Sequence, residues 1–113
     1  MMAKPLFTPD RTDDANLLAL ADVVAGAIVS KPLIDTGALK QILFAMDAEQ
    51  EISQHKAPFP ATVHVLDGRL RFGVAGRDRE MGPHDWVLMK PGEPHDLTAI
   101  EPTRFLLTLV KQG

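Results

Sequence analysis

From residue 27 onward the chain alternates short apolar runs with turn-forming residues. Residues 27–34 (AIVSKPLI) read as a strand, with Pro32 marking it as an edge or kinked one, because proline cannot donate to a ladder. Residues 39–47 (LKQILFAMD) form a second run, and the polar turn AEQE separates it from residues 52–56 (ISQHK). The rigid connection APFP leads into residues 62–74, TVHVLDGRLRFGV. Two β-rich runs flank Asp67-Gly68 there, a dipeptide favoured in tight hairpins, so a hairpin with Gly68 in its turn is predicted. A turn at AGRD follows, and then come strands at 78–81, 85–90, 95–100 and 103–110, separated by PGEP and by Glu101-Pro102. Strands of this length and spacing predict an all-β sandwich or barrel, and closure removes the exposed edges that a small sheet leaves. Ahead of them, Asp13 or Asp14 is positioned to cap a short helix carrying Leu17, Leu18, Leu20 and Ala21, which Gly26 would end. Residues 1–26 are thus a helical or irregular lead-in, loose at its start, and residues 27–113 the barrel.

Composition narrows the function classes. A chain of 113 residues with 45% hydrophobic residues suits one ordinary domain. A net charge of -3 argues against a nucleic-acid binder, which would show a basic face. Arg69, Arg71, Arg77 and Arg79 are read as the solvated face of a hairpin. The absence of cysteine excludes disulfides, thiolate nucleophiles and Cys-ligated zinc, and fits the cytoplasm, where the chain is expected to act. No apolar stretch approaches the ~18 residues of a membrane span, and the first residues contain no signal-peptide core.

From about Ala27 to Val110 the spacing resembles that of a small single-domain cupin of the RmlC-like, conserved-barrel type. The family's first motif reads G(X)5HXH(X)3-4E(X)6G. Anchored on Gly68, it places its histidines at His55 and Ala57, its glutamate at Ala61 and its opening glycine at Glu49. The second motif reads G(X)5PXG(X)2H(X)3N. Anchored on His95, it places its glycines at His84 and Gly92, its proline at Lys90 and its asparagine at Ala99. His55, Gly68, Gly92 and His95 match. The resemblance implies a double-stranded β-helix, or jelly-roll barrel, whose three-histidine, one-glutamate site keeps two histidines here. Cupins host many activities, so the fold does not choose among them.

In that reading the PGEP turn aims His95 into the barrel mouth, near His55. The two imidazoles are candidate ligand-binding residues and candidate ligands for one divalent metal, iron, nickel, manganese or zinc. Ala57 and Ala61 cannot coordinate, and a catalytic zinc commonly takes three protein ligands plus water. With residue 61 inward, strand alternation turns Val63 and Val65 inward and His64 outward, where it suits a subunit interface. His84 is a surface turn residue. Glu93 is the more plausible acid/base of the two carboxylates flanking His95, since Asp96 points away from it. Phe44, Met46, Phe72, Met89 and Phe105 read as core, Trp86 as core or interface, and Phe59, between two prolines near the mouth, as a ligand contact. The expected function is binding of a small molecule at the barrel mouth, with no nucleic-acid or membrane partner and with the chain acting as a homodimer. The alternative is a metal-dependent enzyme, an oxygenase or isomerase acting on a small organic acid or carbonyl compound.

Overall fold

The computed structural model describes residues 4–111, so the ends of both expected segments lie outside the described residues. Nine strands follow one short helix, α1 (Leu17–Leu20): β1 (Ile28–Asp35), β2 (Leu39–Met46), β3 (Glu51–His55), β4 (Ala61–Asp67), β5 (Leu70–Val74), β6 (Arg77–Met81), β7 (Trp86–Met89), β8 (His95–Ala99) and β9 (Thr103–Val110). They form two antiparallel sheets, a five-stranded one in the order β1-β2-β9-β4-β7 and a four-stranded one in the order β3-β8-β5-β6. This is the expected all-β jelly roll. No helix among the described residues is long and apolar enough to cross a membrane.

Alternation explains which residues meet between the sheets. In β4, Ala61, Val63 and Val65 are buried; Leu70, Phe72 and Val74 of β5 and His95, Leu97 and Ala99 of β8 repeat the pattern. Met46, Met81, Val87, Met89 and Phe105 complete this core, and Trp86 does not join it, being 58% exposed. Phe44 and Phe105, paired in register across β2 and β9, stack with ring centroids 4.8 Å apart. A well-placed aromatic pair of this kind contributes about 0.5–1.5 kcal/mol beyond its area burial.

The Asp67-Gly68 turn is not a hairpin, contrary to the sequence expectation. β4 and β5 belong to different sheets, and Gly68 marks the corner where the chain crosses from one to the other. Its φ is +85°, and a Cβ there would collide with the Pro102 carbonyl and the Thr103 backbone. The Asp67 carboxylate accepts from the Arg104 backbone amide and guanidinium, both at 2.9 Å, and Thr103 Oγ1 accepts from the Arg69 amide at 3.1 Å. Asp67 therefore anchors β9 rather than serving a two-residue turn. The tight turn is Ala75–Gly76, joining β5 to β6, so Arg77 and Asp78 of the expected AGRD turn are already strand.

The lead-in meets the sheet at two places, Leu6–Phe7 and the stretch around α1, with residues 8–16 exposed between them. The Leu6 and Phe7 amides donate to Pro32 and Leu33 carbonyls of β1, the edge strand that Pro32 predicted. Asn16, not Asp13 or Asp14, caps α1, its side chain accepting from the Leu18 amide at 3.0 Å. Phe7, Leu17, Leu20 and Val23 then cover a second apolar cluster of Ala21, Leu33, Leu43 and Ala45 on the outer face of the five-stranded sheet. Arg104 Nε reaches the Ala21 carbonyl at 2.6 Å, tying this strap to β9.

Candidate functional site

His55 and His95 converge between the sheets, with ring centroids 4.1 Å apart and planes at 62°. Strict alternation does not produce this. Ile52 pairs with Leu97, and His55 pairs with His95, so β3 uses three steps where β8 uses two. The extra residue is a β-bulge, which turns His55 to the same side as Ile52. His55 sits at the exposed rim of edge strand β3, whereas His95 is only 7% exposed on the inner strand β8. Phe72 lies nearly parallel to His95, with centroids 6.0 Å apart.

Each ring holds a fixed tautomer. His55 Nδ1 lies 3.0 Å from the Ser53 carbonyl oxygen, and His95 Nδ1 lies 3.0 Å from the Glu93 carbonyl oxygen. A carbonyl only accepts, so Nδ1 carries the hydrogen in both, and the neutral ring leaves Nε2 as an acceptor. Burial holds the His95 pKa below the ordinary imidazole value, with the neighbouring His55 adding to the shift and the Glu93 carbonyl opposing it.

The pair borders a cavity of about 130 Å³. Phe44, Val63, Phe105 and Leu107 from the five-stranded sheet and Ile52 and Leu97 from the four-stranded sheet form the rest of its wall. Phe59, expected to touch a ligand, does not line this cavity. It lies in the β3–β4 connection, whose Ala57 carbonyl accepts from the Gly92 amide at 2.7 Å. Phe44, Leu107 and Ile52 line it instead, and the bulge that rotates β3 gives no sequence signal. Ala61 faces inward, 2% exposed, as the motif spacing implied, and His64 takes the opposite face beside Trp86. His84 is an exposed turn residue with φ +74°. Glu93 meets the pair through its backbone carbonyl, and Asp96 points outward to bind Arg71 at 2.8 Å. Arg71 also reaches Asp78 at 2.7 Å, and Arg69 reaches Glu80 at 2.6 Å, so these arginines are paired on the sheet's outer face.

The chain belongs on β3 only as far as His55, so Ala57 lies off the strand as well as lacking a donor. Among the described residues no three histidine, aspartate or glutamate side chains gather as a metal site. Two imidazoles are half of a four-ligand set, and they do not fit a resident iron, nickel, manganese or zinc ion held by this chain alone.

The chain is thus a jelly roll of two antiparallel sheets with a histidine pair between them. The cupin domain family matches residues 42–110, and the chain belongs to that family. A conserved protein of unknown function from Streptococcus pyogenes is similar at 23% identity, over 98% of this chain and 97% of that one, with a TM-score of 0.84. A cupin 2 conserved barrel domain protein from Leptotrichia buccalis is 30% identical over 86% of this chain, which spans 47% of it, with a TM-score of 0.82. KdgF from Halomonas sp. is 18% identical over 76% of this chain and 80% of that one, with a TM-score of 0.72, a likeness of fold alone. Comparison with curated proteins finds no match.

Proposed function

We propose that the chain is a small-molecule-binding cupin whose ligand enters the cavity beside His55 and His95. The observation that carries this reading is the convergence of two imidazoles, 4.1 Å apart, on an otherwise apolar interior cavity. Few polar groups aimed into an apolar concavity are the usual composition of a ligand site. Filling the cavity tests it. Leu107→Phe adds bulk at a partly buried wall position, and compounds that raise the melting temperature of the wild type should leave this variant unmoved. Equal shifts in both proteins would place binding elsewhere.

The second reading, a metal-dependent enzyme, keeps one favourable observation. Ligating histidines commonly donate their other ring N–H to a backbone carbonyl, as both rings do here. It requires further donors from outside the chain, and about one metal per chain in protein purified without an affinity tag would support it.

The reading extends to assembly and location. The outer face of β4 and β7 presents Trp86 at 58% and Leu88 at 59% exposure, paired with His64 and Thr62. These four positions include no carboxylate and no lysine or arginine, so apposing two copies brings no such like charges together. A second copy is the proposed occupant, through a two-fold interface. The lack of cysteine supports a cytoplasmic setting.

A further inference from the structure

Which ligand chemistry suits the cavity follows from its hydrogen-bonding polarity. We infer that the ligand is a neutral, monocyclic molecule bearing one or two hydroxyl groups, which donate to the Nε2 atoms of His55 and His95. The inference rests on the binding reading above.

Both Nδ1 atoms are committed to backbone carbonyls of their own strands, at 3.0 Å each. The two nitrogens of an imidazole flank Cε1, so Nε2 is the nitrogen each ring has left to offer a ligand in the cavity that both line. The polar side chains of the cavity are thus two acceptors, and its other walls are hydrocarbon: Phe44, Ile52, Val63, Leu97, Phe105 and Leu107. A carboxylate in this space meets two lone pairs and no side-chain donor, which leaves a charge desolvated and unpaired. An ammonium group finds acceptors but no carboxylate on the cavity wall. A hydroxyl satisfies both sides of the contact.

Size narrows the class further. The cavity holds about 130 Å³, close to the ~150 Å³ of an engineered apolar cavity that takes benzene. A single six-membered ring matches that volume. The stacked Phe44 and Phe105 rings supply flat apolar wall, which suits a ring rather than a branched chain.

The test uses four probes of similar size, phenol, catechol, toluene and benzoate, titrated into the full chain at pH 8. Binding is followed by the side-chain nitrogen resonances of His55 and His95 and by the methyl resonances of the cavity. Phenol and catechol are expected to bind at least about fivefold more tightly than toluene or benzoate, the increment of one net hydrogen bond, and to move Nε2 more than Nδ1. His55→Leu, at an exposed rim position, should reduce the preference of catechol over toluene. If benzoate matches or exceeds phenol, the donor inference fails while the binding reading stands. If toluene matches phenol, hydroxyl recognition is absent and the inference fails in the same way. If no probe perturbs the cavity resonances, both the inference and the binding reading fall.

Discussion

Burial fixes the charge state of His95, and this has a consequence for stability. Its folded pKa lies below the ordinary value near 6.5, so the unfolded chain takes up a proton first as pH falls. The stabilising difference is fully present above the unfolded value and is lost as pH drops through the folded one. Urea unfolding at pH 7.5 and pH 5 should therefore show a larger acid loss in the wild type than in His95→Gln. Matching losses would mean that other groups carry the acid sensitivity. At this scale the sequence disclosed the directions that follow from strand alternation, and not those set by an irregular backbone. His95 and inward Ala61 followed from motif spacing, whereas the inward turn of His55 depends on a bulge, and the path of the β3–β4 connection, held to the Gly92 turn, gives no local signal.

The elements were readable because strand alternation and turn residues are local signals. Each expected run became a strand within a residue or two, and Pro32 marked an edge. Pairing is non-local, which is why Asp67-Gly68 suggested a hairpin and proved to be a corner between sheets. Gly68→Ala should cost at least about 2 kcal/mol in denaturant unfolding, because the left-handed backbone and the contact with Pro102 both oppose a Cβ. The two motif glycines replaced by Glu49 and His84 predict the opposite sign. Both positions keep a left-handed backbone, with φ of +71° and +74°. Glu49→Gly and His84→Gly should each raise stability by about 0.5–1 kcal/mol, and a loss at either would show that its side chain contributes more than the backbone conformation costs.

At the scale of the molecule, the outer face of the five-stranded sheet has two halves. The strap covers the β1–β2 side with Phe7, Leu17 and Leu20, while Trp86 and Leu88 on the β7 side remain exposed. The short helix of the strap was legible in the sequence, and its packing was not, because its contacts with β1 and β9 are distant in the chain. Light scattering should give about twice the monomer mass for the wild type and the monomer mass for Trp86→Glu. A monomeric wild type would remove the proposed interface and leave His64 a surface residue. The central claim concerns the interior, and the most direct measurement is a set of intermolecular nuclear Overhauser contacts with bound phenol. The account predicts contacts to the methyls of Ile52, Val63, Leu97 and Leu107. Contacts confined to the surface groove that Phe7 and Leu33 line beneath the strap, with none in the barrel, would contradict it.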